Sequence, residues 1–118
     1  MGCAASDDTL IWTQHLPPDD PRTAEVGDQP FTTWTLDLDD PDAAPTQVYE
    51  DIQSGLFPVA GDGFAAWANN GTAFKMRSTA SGNTARVRTG PSMAASGSHL
   101  AAVHQAGPKW RIVLYDAP

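Results

Sequence analysis

Four of the seven cationic side chains of this 118-residue chain lie in one short stretch, KMRSTASGNTARVR, residues 75–88. Lys75 and Arg77 are two positions apart, and so are Arg86 and Arg88. Alternate side chains of a strand point to the same side, so each pair shares a face if the stretch forms two strands. Guanidinium groups bind carboxylate and phosphate oxygens through forked hydrogen bonds. This spacing therefore suggests the binding of an anion.

Two predicted strands, residues 72–77 and 84–89, position these cations. The side chains that alternate with the cations are apolar: Phe74, Met76, Ala85 and Val87. If the strands pair through the connection 78–83, their apolar sides must coincide, and all four cations then lie on the solvent side, about 5–8 Å apart. Three interpretations stay open: an anion-binding surface, pairing with the acidic segment DLDDPD (residues 37–42), or a solvated face that stabilises little.

A hairpin is predicted just before the cations, because Asn70-Gly71 supplies the two positive-φ residues of a type I′ turn between residues 63–68 and 72–77. This register places Trp67 opposite Phe74, on the side away from the cations. Binders of single-stranded nucleic acid interleave aromatic and cationic side chains on one face. That class of function is therefore disfavoured.

The net charge of −7 is divided unevenly. Residues 1–51 hold twelve of the fourteen acidic residues and one base, Arg22, which gives −11. Residues 52–118 hold six bases and two acids, which gives +4. An acidic chain is a poor non-specific binder of duplex nucleic acid, because attraction to phosphates needs a net positive surface.

The first six residues, MGCAAS, carry a possible lipidation signal. Gly2 followed by Ser6 fits the N-myristoylation pattern, with Cys3 available for a second acyl chain. The same residues look like the start of a mature bacterial lipoprotein, in which Cys3 carries the lipid, and the Ala- and Asp-rich composition favours this version. The remaining interpretation is a disordered tail without lipid, so residues 1–9 are predicted as a tail or an anchor.

Other chemistry is weakly indicated. Asp37, Asp39, Asp40 and Asp42 are spaced somewhat like a calcium loop, but the glycine at the sixth position is missing. No pair of histidines has the spacing of metal ligands. No phosphate-binding or dinucleotide-binding motif is present. We therefore predict no metal and no cofactor.

The rest of the chain predicts a β-rich unit of many short elements, with ten Pro and ten Gly, one core and one cysteine, hence no internal disulfide. Residues 17–30 read as an acidic loop. Strand 31–38 is expected to bury the side of Thr32, Trp34, Leu36 and Leu38. Residues 99–104 and 110–115 should form a hairpin with Trp110, Ile112 and Leu114 on one face. One short helix is predicted over residues 45–54.

We therefore expect residues 10–118 to form one α+β domain, a small antiparallel barrel or sandwich with that helix. HLAAVHQAGPKWRIVLYDAP (residues 99–118) resembles the closing hairpin of NTF2-like domains, which implies an α+β cone with an apolar pocket as the alternative fold. ARVRTGPS (85–92) with WRIV (110–113) resembles a bacterial SH3-like module. Each resemblance covers a minor part of the chain, and neither is an assignment.

For function, these observations favour a small non-catalytic binding module with a cationic sheet face, Lys75, Arg77, Arg86 and Arg88, for an anionic small ligand or a partner protein. The alternative is an NTF2-like pocket protein that binds or transforms a small apolar molecule. Its pocket residues would be Trp12, Trp34, Trp67 and Trp110, with Tyr49, Asp51 or His104 as acid or base. Membrane contact is expected only through a lipid anchor, in a bacterial envelope if Cys3 is lipidated and otherwise in the cytoplasm. Homo-oligomerisation is left open.

Overall fold

The computed structural model describes residues 2–15, 19–21, 31–48, 56–69, 73–87 and 92–118. These residues form strands and no helix, so the predicted β-rich class is confirmed. The strands are β1 Cys3–Ala5, β2 Thr9–His15, β3 Phe31–Asp37, β4 Thr46–Gln47, β5 Leu56–Gly61, β6 Phe64–Asn69, β7 Ala73–Ser78, β8 Thr84–Val87, β9 Ser92–Ser96, β10 His99–Ala106 and β11 Lys109–Asp116.

The strands form three antiparallel sheets, each a meander in which strands that are consecutive in the chain are neighbours. The first sheet has the order β1-β2-β3-β4, the middle sheet β5-β6-β7-β8, and the third sheet β9-β10-β11. Short turns suffice for such antiparallel neighbours. Each sheet is therefore built from one continuous part of the chain.

The sheets are layered in chain order, so that the middle sheet lies between the other two. We call the side of each sheet that points in the direction from the first sheet to the third its forward face, and the opposite side its backward face. Ile11, on the forward face of the first sheet, is fully buried and packs in one cluster with Ala65 and Trp67 of the middle sheet. Val48, just after β4, belongs to the same cluster.

The middle and third sheets share a larger apolar cluster. Phe64, Phe74 and Met76 on the forward face of the middle sheet pack with Leu100 and Ala102 on the backward face of the third sheet. Phe64, Leu100 and Ala102 are fully buried. Because buried aliphatic and aromatic surface is the main favourable term in folding, this interface is the principal core of the molecule.

The tight turns at one end of the three sheets are joined by hydrogen bonds. The Gly63 amide, in the β5–β6 turn, donates to Asp8 Oδ1 in the β1–β2 turn at 2.9 Å. The Asp62 amide donates to the Gly97 carbonyl, in the β9–β10 turn, at 2.8 Å. Each turn is therefore fixed against the turn of the next sheet.

Two predictions on element type differ from the structure. The helix expected over residues 45–54 is not confirmed, because Thr46–Gln47 form strand β4 and residues 49–54 lie outside the described residues. Within the segment assigned to a tail, Cys3–Ala5 pair with β2 as strand β1. Ala4 explains this pairing physically, because its methyl group packs against the cluster around Ile11.

The burial of β3 agrees with the prediction at one of its four residues. Thr33 and Thr35, on the forward face, are buried. On the backward face Thr32 is buried as predicted, but Trp34 and Leu36 are only partly buried and Leu38 is exposed. The alternation marks an apolar face correctly, but in this layered molecule that face lies on the outer side of the first sheet. The predicted barrel or sandwich type is not confirmed, and the described residues contain no helix to close an NTF2-like cone.

Candidate anion-binding face

Strands β7 and β8 bring three of the four predicted cations together. Lys75 is the register partner of Arg86, and Arg77 is two positions further along β7, opposite Thr84. The alternating positions pair apolar residues, Phe74 with Val87 and Met76 with Ala85. Lys75, Arg77 and Arg86 therefore share one face of the sheet, as the sequence predicts. Arg88 lies outside the described residues.

The side chain beside these cations differs from the prediction. Trp67 is the register partner of Lys75 and Ala65 that of Arg77, so both lie on the cationic face. The last described pair of this hairpin is Asn69 with Ala73, so the observed register differs by one residue from the predicted one. Residues 70–72 lie outside the described residues. A shift of one residue moves every side chain to the other face, which explains the misplaced Trp67.

The cations occupy the part of this backward face farthest from the contact with the first sheet. The contact between the two sheets is concentrated on β1 and β2 against β5 and β6. Strands β7 and β8 follow β5 and β6 outward in the middle sheet. The result is a face that is apolar at Ala65 and Trp67 and becomes cationic toward its outer strand.

The three cations differ in exposure. Arg86 is exposed, whereas Lys75 and Arg77 are half-buried. The guanidinium of Arg77 lies against Gly82 in the β7–β8 turn, where a Cβ atom would stand 3.1 Å from Nη2. Gly82 also has a φ of 73°, a conformation that L side chains rarely adopt. This glycine therefore serves both the turn and the placement of Arg77.

The acidic segment 37–42 does not neutralise the two arginines. Asp37 Oδ1 accepts a hydrogen bond from the Asp39 amide at 2.9 Å, and Asp40 Oδ1 accepts one from the Asp42 amide at 3.0 Å. In the part of the chain that the structure describes, no carboxylate lies within ion-pair distance of Arg77 or Arg86. Their guanidinium groups are thus available for a ligand in this structure.

The residues expected to line an NTF2-like pocket lie on three different surfaces. Trp12 and Trp34 are partners on the outer side of the first sheet, Trp67 is buried beside Ile11, and Trp110 is exposed on β11. Tyr49 and Asp51 lie outside the described residues, and His104 lies in β10. The four tryptophans therefore do not line one cavity.

Two polar groupings were not predicted from the sequence. His99 Nδ1 lies 2.7 Å from Asp116 Oδ1, across the β10–β11 pair. Asp8 Oδ1 accepts hydrogen bonds from Gly63 N, Thr9 Oγ1 and Ser6 Oγ, and these lower the pKa of Asp8, with the Gly63 amide as the largest cause. Sequence spacing gives no signal for Asp8 and Gly63, which are 55 positions apart.

The predicted lipidation residues lie at an edge of the first sheet. The Gly2 amide donates to Thr13 Oγ1 at 3.0 Å, and Cys3 is exposed on the edge strand β1. Among the described residues, no helix is long and apolar enough to cross a membrane. In the same ranges, no three His, Cys, Asp or Glu side chains are grouped so that they could hold a metal ion.

Comparison of the chain with models of protein families, with curated proteins and with solved structures found no match.

Proposed function

We propose that the chain is a small non-catalytic binding module that holds an anion on the cationic face of β7 and β8. The observation that carries the proposal is the register that sets Lys75 opposite Arg86 with Arg77 on the same face. In this proposal the layered sheets act as a sandwich-type scaffold that keeps the two strands in place. Arg88, the fourth predicted cation, lies outside the described residues, and its part in the face stays a prediction.

Electrostatic repulsion supports the proposal. Directly opposite residues of an antiparallel pair have Cβ atoms about 5 Å apart, and two like charges near that distance repel by about 1–3 kcal/mol at a protein surface. Lys75 and Arg86 occupy such a pair, and Arg77 adds a third charge nearby. In the described residues no carboxylate pairs with Arg77 or Arg86. An anion bound between these two guanidinium groups would therefore replace their mutual repulsion by attraction.

The ligand chemistry follows from the donors. The guanidinium groups of Arg77 and Arg86 offer forked hydrogen bonds to a group with several oxygens, either carboxylate or phosphate. Trp67 is nearly fully buried next to Lys75, so the face provides little exposed aromatic surface for stacking a base. This composition suits an acidic small ligand or an acidic segment of a partner protein better than a nucleic acid.

The test compares two double variants with the same change in charge. Arg77→Ala with Arg86→Ala removes two cations from the face, and Lys109→Ala with Arg111→Ala removes two exposed cations from β11. Backbone amide chemical shifts are followed by NMR while inorganic phosphate, or a hexaglutamate peptide, is added at low and at physiological salt. We expect shifts centred on β7 and β8 in the wild type and in the β11 variant, weaker at the higher salt.

The proposal fails if neither probe shifts the amides of β7 and β8, or if the two variants lose binding equally. Equal loss would mean that the probes respond to the overall charge of the chain. A response to hexaglutamate alone would identify a carboxylate ligand, and a response to phosphate alone a phosphate ligand. Stability of each variant is followed by urea unfolding, so that loss of binding is separated from loss of fold.

Lipid attachment at Gly2 or Cys3, with location in a bacterial envelope, remains a prediction. The exposed position of Cys3 on an edge strand is compatible with an acyl chain at that site. The intact mass of the protein from a lipid-modifying host checks it, since one acyl chain adds a defined mass. A mass that equals the unmodified polypeptide contradicts lipidation in that host.

A further inference from the structure

The large apolar side chains that are exposed in the described residues are concentrated on one surface. Trp110, Ile112 and Leu114 on β11 are 57%, 75% and 64% exposed, and the fourth such residue, Leu38, lies just beyond β3. The three residues on β11 alternate with Arg111 and Val113 and therefore share one side of the strand. Contiguous exposed apolar patches larger than a few hundred Å² commonly mark interaction sites.

This surface is the forward face of the third sheet. The register pairs Leu114 with Ala101 and Ile112 with Val103, whereas Leu100 and Ala102 point the other way, into the core shared with the middle sheet. Ala101 and Val103 are partly buried, so the apolar character continues from β11 across β10. In the first and middle sheets, the forward face is the side that the next sheet covers.

The first sheet, at the opposite end of the three layers, has a second apolar outer face. The backward face of the first sheet carries Trp12 opposite Trp34 and Leu10 opposite Leu36, all of them partly exposed. The alternation in β3 predicts that this side is covered. The structure instead leaves it as the outer surface of the three layers.

Each sheet begins with two strands joined by a similar turn, so positions in the three sheets can be matched by counting from that turn. The matching compares the two outer faces of the molecule with faces that are covered inside it. Ser6 and Thr9, Gly61 and Phe64, and Ser96 and His99 each flank a two-residue turn. Counting from these turns, Trp12 corresponds to Trp67, which is covered by the first sheet. By the same count Ala101 corresponds to Ala66, which is covered by the third sheet.

We propose that a second copy of this chain covers the forward face of the third sheet with the backward face of its own first sheet. The contact joins a forward face to a backward face, as both internal interfaces do. Such a head-to-tail contact leaves one free face at each end of the assembly. It therefore continues into a ring if the rotation between copies closes, and into a filament if it does not.

The charges favour this pairing over contact between like ends. The part of the chain that forms the first sheet lies within residues 1–51, with −11, whereas residues 92–118, which form the third sheet, hold Lys109 and Arg111 against Asp116, which gives +1. Two first sheets in contact would bring two strongly acidic segments together, whereas the head-to-tail contact places one acidic segment beside a sheet whose charges nearly balance. The same argument disfavours an acidic partner for the backward face.

The area sets the expected strength. Three strands of up to eight residues, about 4.8 Å apart and rising about 3.4 Å per residue, cover roughly 400 Å². This is about half of the 800 Å² per partner that stable complexes bury. Association is therefore expected to be weak and to depend on concentration.

Two blocked variants test the proposal, each with two added negative charges on one end face. Ile112→Asp with Leu114→Asp blocks the forward face, and Ala5→Glu with Gln47→Glu blocks the backward face on either side of Trp12 and Trp34. The control is Ser81→Asp with Ser98→Asp, which adds the same charge at two exposed turn residues. All chains are kept reduced, because Cys3 is exposed.

Sedimentation of the full chain is measured from about 10 µM to about 1 mM, a range suited to weak interfaces. We expect the average mass of the wild type and of the control to rise with concentration, and that of each blocked variant to stay near one chain. An equimolar mixture of the two blocked variants has one intact forward face and one intact backward face. It should form a complex of two chains and grow no further.

Several outcomes overturn the proposal. The first is a wild type that stays monomeric at the highest concentration, which would mean that no second copy covers the forward face of the third sheet. The second is a blocked variant that associates as strongly as the wild type, which would indicate contact between like faces or through a strand edge. The third is a mixture that forms no two-chain complex although each blocked variant keeps the circular dichroism spectrum and thermal midpoint of the wild type.

Discussion

The two faces of the middle sheet are built from the same strands but do different things. The forward face carries buried apolar side chains on β6, β7 and β8: Phe64, Ala66, Phe74, Met76 and Val87. The backward face is apolar on β6, at Ala65 and Trp67, and cationic on β7 and β8. The difference shows that one face can belong entirely to the core while the other is divided between packing and a cationic surface, because side chains alternate along each strand.

The comparison predicts that substitutions on the forward face destabilise the protein most. Phe64→Ala should lower the free energy of unfolding by about 3–5 kcal/mol, since Phe64 is fully buried in the larger cluster and its loss leaves a cavity. Urea unfolding followed by circular dichroism measures the change. Phe64→Leu serves as the control and should cost distinctly less. A loss below about 1 kcal/mol for Phe64→Ala would contradict the assignment of the principal core.

A smaller loss is expected from adding one methyl group beside Phe64. The Cβ atom of Gly61→Ala would overlap the ring of Phe64 and stand 2.8 Å from the Gly97 carbonyl oxygen. Overpacking of this kind costs about 1–3 kcal/mol. Gly63 is not a suitable control, because its φ of 78° strains any side chain. The double variant Gly61→Ala with Phe64→Ala should recover part of the loss, and strictly additive losses would contradict the overlap.

The next effect concerns the bond between the first and middle sheets. Asp8→Asn should destabilise the protein by about 1–2 kcal/mol at neutral pH, because the charged oxygen that accepts three hydrogen bonds is replaced by a neutral group. Asp7→Asn removes the same charge from the neighbouring, exposed residue and is the matched control. Thermal unfolding of both variants measures the difference.

The pH dependence of stability provides a second measurement on Asp8. Its pKa lies below the ordinary value of 3.8 in the folded protein, so the folded state binds fewer protons than the unfolded state near that pH. The stabilisation by Asp8 is therefore complete above the unfolded-state pKa and is lost as the pH falls through the folded-state pKa. Asp8→Asn should flatten the acid limb of the stability curve relative to Asp7→Asn, and an unchanged limb would contradict the lowered pKa.

The smallest change in stability is expected on the cationic part of the backward face. Arg86→Ala should alter the free energy of unfolding by less than about 0.5 kcal/mol, because Arg86 is exposed and no carboxylate of the described residues pairs with it. Removing one of three like charges works in the stabilising direction. Urea unfolding at low salt measures the change. A loss above about 1 kcal/mol would show that Arg86 serves the fold, and the binding proposal would lose its main support.

The local pairing of strands was largely predictable from the sequence. The hairpin of β10 and β11 was predicted, with Trp110, Ile112 and Leu114 on one common face, because alternation and a Gly-Pro turn both point to it. The pairing of β7 with β8 and the common face of Lys75, Arg77 and Arg86 were predicted as well. Side-chain alternation and short turns are local properties, and the sequence contains them directly.

The errors arose where a local signal predicts the wrong register or where the sequence holds no local signal. Asn70-Gly71 favours a two-residue turn, but the pairing of Asn69 with Ala73 shifts the register by one and moves Trp67 to the cationic face. The layering of three sheets depends on contacts between distant segments, such as Asp8 with Gly63. Which apolar face is inside and which is at an end therefore followed only from the structure.

The layered order has a consequence for how the protein opens. The middle sheet is held from both sides, whereas the first and third sheets are each held from one side only. In such an arrangement the end units separate at a lower free energy than the centre. Amide protons of β3 and β11 should thus exchange with deuterium through partial opening, while those of β6 wait for unfolding of the whole chain. Deuterium uptake would then proceed inward from both ends of the molecule.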